Sequence, residues 1–126
     1  MDYRHILLID DDQDDQDIFL TAMQAVSERA DYMAIGSAET ALQQLANGEV
    51  VADLIFLDLN IPIMSGQQFL SKIKDHETLK EIPVIILSTS SRAETIREVK
   101  RLGAHDFITK PDKFDTLKSI LHSIIG

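Results

Sequence analysis

Three uninterrupted apolar runs punctuate the chain: Ile6-Leu7-Leu8-Ile9, Leu54-Ile55-Phe56-Leu57 and Val84-Ile85-Ile86-Leu87. Short runs without polar alternation fit strands covered on both faces, as in a parallel sheet. Two weaker stretches, Tyr32 to Ile35 and Asp106 to Thr109, complete a predicted set of five strands. Between them the apolar positions recur at helical spacing. Ile18, Phe19, Ala22 and Val26 line one side of a first helix, which Asp12 or Asp14 would cap. Ser37 stands as N-cap before Ala38, Ala41, Leu42 and Leu45, and Asn47-Gly48 closes that second helix. Residues 66–75 carry Phe69, Leu70 and Ile73 inward, and residues 92–102 show a modest stripe, Ile96 and Val99, ending at Gly103. Leu117, Ile120, Leu121, Ile124 and Ile125 give the stripe of a terminal helix.

Strands and helices in strict alternation predict an α/β fold, a three-layer sandwich with helices on both faces of a parallel sheet. Right-handed crossovers leave few topologies, and at this length the favoured one is flavodoxin-like: five strands in the order 2-1-3-4-5, with five helices. That order makes the first and third strands neighbours. It also sends Asp10 and Asp11, Asp58, Ser88 and Lys110 out of the same carboxyl edge of one sheet, from four different strands.

Composition narrows the function. Read as a whole chain, 126 residues predict a single domain, 1–126, with no output domain beside it. The formal charge of −9 argues against nucleic acid as a partner and favours cations or a basic protein surface. There is no cysteine, hence no disulfide framework and no thiolate zinc site. No run approaches a membrane span and the N-terminus lacks the features of a signal peptide, so the expected location is the cytoplasm.

The chemistry lies in the constellation rather than in any one residue. Converging carboxylates repel one another, which raises their pKa values unless a positive charge sits among them. A donor set of oxygens alone points to a hard cation, Mg²⁺ rather than Zn²⁺. A Mg²⁺ beside a carboxylate, a lysine and a hydroxyl makes a site for phosphoryl transfer, in which Asp58 attacks, Lys110 neutralises phosphoryl oxygens and Ser88 hydrogen-bonds the product. Plainer readings exist for each part. The six aspartates between Asp10 and Asp17 suit a solvated helix start, and Ser88 to Ser91 an ordinary polar loop. An EF-hand fails, because Asp15 falls where glycine is needed and Thr21 where the bidentate glutamate belongs. A Walker loop is absent, and the four histidines lack metal-site spacing.

The joint pattern resembles the receiver (CheY-like) domain of bacterial two-component response regulators. The resemblance runs from Ile6 to the last helix. Its motifs are Leu8-Ile9-Asp10-Asp11, Leu57-Asp58-Leu59-Asn60-Ile61-Pro62 with Gly66, Pro83-Val84-Ile85-Ile86-Leu87-Ser88, and the stretch from Gly103 through Phe107 to Lys110-Pro111. It implies that Asp58 is a phosphoacceptor supplied by a histidine kinase or phosphotransfer protein. It implies that Asp11 ligates Mg²⁺ directly, that Asp10 acts largely through water, and that Asp58 and the Asn60 carbonyl complete the set. Lys110 would pair with the phosphoryl group, and the Lys110-Pro111 bond would be cis. Ser88 and Phe107 match the switch pair, and Asn60 and Ser90 the positions that tune self-dephosphorylation.

On this resemblance the protein is a stand-alone signalling switch and not an enzyme, its chemistry confined to its own phosphorylation and hydrolysis. The moving surface would be the fourth helix, fifth strand and fifth helix, presented to a protein output partner not identified by the sequence, with room for an isologous homodimer. The Asp-rich first loop and the stretches around Asp58 and Ser88 look most like regulators that pair with phytochrome-type kinases. Phe107 lacks a hydroxyl, and Asp112 follows Pro111 where an apolar residue is frequent, so both alter the surface that the resemblance implies. The alternative from another class is a binding or dimerisation scaffold that never takes a phosphoryl group; it has no need of Asp11, Asp58, Ser88 and Lys110 together. A small-molecule phosphatase would want a second acid two residues after the nucleophile, where Asn60 stands. Flavin binding is disfavoured by the absence of tryptophan and of a hydroxyl-rich phosphate loop after the first strand.

Overall fold

A computed structural model describes residues 3–125. The strands are β1 (His5–Ile9), β2 (Asp31–Ile35), β3 (Leu54–Asp58), β4 (Val84–Ser88) and β5 (Asp106–Thr109). They pair in parallel in the order β2-β1-β3-β4-β5, as the alternation of elements predicts. The helices are α1 (Gln13–Val26), α2 (Ala38–Ala46), α3 (Gly66–Asp75), α4 (Ala93–Arg101) and α5 (Phe114–Ile125). No described helix is long and apolar enough to cross a membrane.

Continuous apolar strands become two cores because successive side chains point to opposite faces. Leu7, Ile9, Ile55, Leu57, Val84 and Ile86 meet α2, α3 and α4 on one side. Ile6, Leu8, Leu54, Phe56, Ile85 and Leu87 meet α1 and α5 on the other. There Phe19 packs edge-on against Phe56 with ring centroids 5.0 Å apart. Truncating so fully enclosed a ring as Phe56 to alanine costs about 3–5 kcal/mol in comparable cores.

The local signals act largely as expected. Asp12, rather than Asp14, caps α1 by accepting from the Asp15 amide, and Ser37 caps α2 by accepting from the Thr40 amide. Ser65 and Gln68 form a reciprocal capping box at the start of α3. Gly48 and Gly103 take the positive φ that ends α2 and α4. Helix α4 is a residue shorter at each end than the predicted span, because Arg92 and Leu102 serve as its caps. One inward assignment is wrong. Ile18 is 48 % exposed, and the buried stripe of α1 runs through Phe19, Ala22 and Met23, which places Ile18 off to one side of it.

Candidate functional site

The parallel register aligns the strand ends. Ile9 lies opposite Leu57, Asp58 opposite Leu87, and Ser88 opposite Thr109, so the residues that follow or close each strand gather at one edge. Asp58 and Ser88 are the last residues of fully buried strands, and Asp10 is buried just past the end of β1. These are the described polar side chains that the core encloses. Polar groups are placed there only if they are satisfied, and each one is. Asp10 accepts from the Asp12 amide at 3.0 Å, Asp58 from the Asn60 amide at 3.2 Å, and Ser88 from the Ser90 amide at 3.1 Å.

Lys110 reaches into this edge from the end of β5, where its own amide donates to the Ser88 carbonyl at 2.7 Å. Its ammonium donates to Asp10 at 3.0 Å and to Asp15 at 2.8 Å, and stands 3.5 Å from Asp58. Burial alone would push this ammonium down. The hydrogen bonds to Asp15 and Asp10 and the charge of Asp58 outweigh burial and hold it above the ordinary lysine range. Asp10 moves up instead. Burial penalises its charged form more than the Asp12 amide and Lys110 relieve it, and the charge of Asp58 adds to the rise.

Three carboxylates, from Asp10, Asp11 and Asp58, each place an oxygen within 4.8 Å of the others. Asp11 is exposed beside its two buried partners, which leaves the cluster open to solvent on one side. An all-oxygen set of this kind suits a hard divalent cation, which would also offset the burial that raises Asp10 and the smaller contribution of the Asp58 charge. The cleft between Asp10, Asp15, Lys110 and Pro111 holds about 80 Å³. That is well below the roughly 300–1,000 Å³ of sites for organic cofactors. A larger hollow, about 750 Å³, opens near Tyr3, Arg4 and Arg29 at the opposite end of the sheet, away from every residue of this cluster.

The predicted site residues lie at one sheet edge except Phe107, which pairs with Ile86 inside the sheet. Asn60 is exposed and contributes a backbone amide to Asp58; Ser90 is half-buried and braces Ser88 through its amide. Phe107 is half-buried against the core beneath α2, α3 and α4. No described peptide bond is cis, so the Lys110-Pro111 bond is trans, the form favoured by about 0.5–1 kcal/mol before proline. Two residues escaped the sequence reading. Asp15 is the nearest partner of Lys110, and Gln16 donates from its side chain to the Asp10 carbonyl at 2.6 Å. Asp15 lies four residues before Phe19, on the stripe of α1 that packing buries, and so faces the sheet edge.

The sequence profile of the response regulator receiver domain matches residues 6–122. The two-component response regulator ORR5 of Oryza sativa subsp. japonica is 33 % identical over 107 residues, covering 85 % of this chain and 78 % of its own. Among solved structures, the phosphorylated cyanobacterial phytochrome response regulator RcpA superposes with a TM-score of 0.86 at 30 % identity, over 97 % of this chain and 91 % of its own. The Mn²⁺-bound form of the response regulator Rcp1 gives 0.85 at 25 %, over 96 % and 91 %.

Proposed function

The chain belongs to the response regulator receiver domain family, and from that premise we propose that Asp58 is its phosphoacceptor. The observation that carries this reading is the position of one carboxylate. Asp58 closes a buried strand, is 6 % exposed, and faces an ammonium at 3.5 Å and two further carboxylates on its open side. A carboxylate oxygen of Asp58 attacks the phosphorus of a phosphohistidine on a kinase or phosphotransfer protein. The P–N bond breaks, its electron pair stays on the imidazole, and an acyl phosphate forms on Asp58. Water later cleaves that acyl phosphate. The chemistry of this domain is then a signalling event, its own phosphorylation and hydrolysis, rather than turnover of an outside substrate.

The residues divide the work by charge. Asp10, Asp11, Asp58 and the Asn60 carbonyl would hold a divalent cation, Mg²⁺ in the cell. When bound, that cation neutralises phosphoryl oxygens as charge develops in transfer. Lys110 supplies the second positive charge, and the Ser88 hydroxyl, oriented by the Ser90 amide, is ready to donate to the new phosphoryl group. Asn60 and Ser90, bonded through their amides to Asp58 and Ser88, would tune the lifetime of the phosphoryl group. The phosphoryl group adds about −1.5 to −2 charges, and charge-assisted hydrogen bonds to it contribute roughly 1.5–3 kcal/mol each. Two such bonds approach the ~5.5 kcal/mol needed to invert a 1:99 population.

The surface that responds is α4-β5-α5, coupled through Ser88 and Phe107. Helix α4 suits movement: it buries Val99 alone, and its N-cap Arg92 makes no side-chain hydrogen bond. The partner upstream is a histidine kinase or phosphotransfer protein, and similarity to the cyanobacterial phytochrome regulator favours a phytochrome-type kinase. The test is labelling by acetyl phosphate, with and without Mg²⁺, in the wild type and in Asp58→Asn. Labelling that requires Mg²⁺ and disappears in the variant is expected. A folded wild type that takes label from neither acetyl phosphate nor any kinase would leave a phosphorylation-independent scaffold as the better account.

A further inference from the structure

Asp15 makes the shortest contact of the three carboxylates that face the Lys110 ammonium. The Lys110 ammonium has three N–H donors; it gives one to Asp15 at 2.8 Å and one to Asp10 at 3.0 Å, while Asp58 waits at 3.5 Å. The lysine is therefore held by two carboxylates that are not the acceptor. Those two differ in how easily they can let go. The Asp10 side chain is 2 % exposed, and losing its cation would leave a buried charge unpaired. The Asp15 side chain is 43 % exposed on the first turn of α1, so water can replace Lys110 there.

We propose that Asp15 is a positioning residue that holds Lys110 at the rim of the site in the unphosphorylated protein and yields it to the phosphoryl group on Asp58. This rests on the reading of Asp58 as phosphoacceptor and adds a resting-state latch to it. An ion pair so exposed is weak, which is what a latch requires. A phosphoryl group carries about −1.5 to −2 charges against the single charge of Asp15, and it lies deeper, where attraction is less screened. Phosphorylation therefore wins the lysine, while before phosphorylation Asp15 retains it. Removing Asp15 should free Lys110 to swing towards Asp58 and make the acceptor easier to phosphorylate.

General repulsion of an anionic donor by acidic residues must be separated from the latch. Asp14 serves as the control, since it belongs to the same first turn, is exposed, and makes no described contact with Lys110. The full chain is labelled with acetyl phosphate and Mg²⁺ as wild type, Asp14→Asn and Asp15→Asn. The latch predicts that Asp15→Asn labels about twofold to fivefold faster than Asp14→Asn, the range that a partly exposed ion pair can supply. A second readout follows the Lys110 ammonium by ¹⁵N NMR. Its resonance should move in Asp15→Asn and not in Asp14→Asn, and should also leave its resting position when wild type binds beryllofluoride, an acyl-phosphate mimic. Wild type that labels normally while Asp15→Asn merely tracks Asp14→Asn, or labels more slowly, overturns the latch alone. Beryllofluoride binding that leaves the Lys110 resonance unmoved overturns it too. Wild type that takes up no label from acetyl phosphate or from any histidine kinase overturns the acceptor reading, and the latch falls with it.

Discussion

At the scale of single residues, Asp10 is where the site works against the fold. Its carboxyl is buried, and burial raises its pKa above the ordinary 3.8 despite Lys110 and the Asp12 amide. A raised carboxyl binds its proton more tightly folded than unfolded. Its contribution to stability is therefore fully present below about pH 3.8 and is lost as pH rises through the folded value. At pH 7 the ionised Asp10 weakens the metal-free fold. Asp10→Asn should raise the urea midpoint at pH 7 in EDTA, and the gain should shrink to nothing as pH falls towards 3.8. Lys110 does not blur that window. Its pKa is raised above 10.5, so its stabilisation is complete below that pH and is lost only above it. An unchanged or lower midpoint for Asp10→Asn at pH 7 would show that its ion pair outweighs its burial. The residues of this site were legible in proportion to their place on strands. Asp10, Asp58 and Ser88 each end an apolar run and Lys110 follows the last strand, whereas Asp15 hides among six aspartates in the segment from Asp10 to Asp17. Only the face of α1, fixed by packing, singles it out.

At the scale of elements, the loop from β3 to α3 shows two backbone demands of opposite quality. Gly66 is required, since a Cβ there would come within 2.7 Å of the Leu59 Cα and 2.9 Å of the Asp58 carbonyl oxygen. The start of α3 is thereby pressed against the strand end that carries Asp58, the proposed acceptor. Ile63 is the reverse. It is a β-branched residue at φ 70° and is 92 % exposed, so it carries left-handed strain with almost no packing in return. Ile63→Asn should stabilise the fold by about 0.5–1 kcal/mol, since asparagine tolerates that conformation. Gly66→Ala should destabilise it by more than 1 kcal/mol and slow labelling of Asp58, because relief of the clash must move the backbone beneath the acceptor. Thermal melts and labelling rates on the two variants decide both. The sequence made Gly66 visible through its motif but gave no hint of Ile63, since φ at a loop position depends on how the chain must return to the sheet. Strands were the most legible elements, their apolar runs matching the observed spans to within a residue at either end. The face of α1 was less so. Ile18 and Phe19 are adjacent and equally apolar, and only contact with α5 and the sheet buries one and exposes the other.

At the scale of the molecule, the topology concentrates negative charge that the rest of the fold does not balance. The chain carries a formal charge of −9, and three carboxylates with oxygens within 4.8 Å of one another share the partial compensation of Lys110. A cation bound there should stabilise the whole protein, because it binds carboxylates that only folding brings together from the ends of β1 and β3 and has no counterpart in the unfolded chain. The gain follows mass action, about 2.7 kcal/mol when the free cation exceeds its dissociation constant a hundredfold. The melting temperature should therefore rise steadily with the logarithm of Mg²⁺ concentration above that constant. General screening of the −9 charge would also raise it, but NaCl at equal ionic strength would then serve as well. The site reading predicts that NaCl does not, and that Asp58→Asn and Asp11→Asn flatten the Mg²⁺ response while a distant acidic change such as Glu39→Gln on α2 leaves it intact. Asp10→Asn joins the two scales: more stable than wild type in EDTA at neutral pH, it should lose that advantage as Mg²⁺ is added, since the charge that burdens the empty fold is the one that holds the cation. Parallel responses of wild type and Asp58→Asn to Mg²⁺ would place the stabilising cation elsewhere on the molecule and separate the charge of this edge from its chemistry.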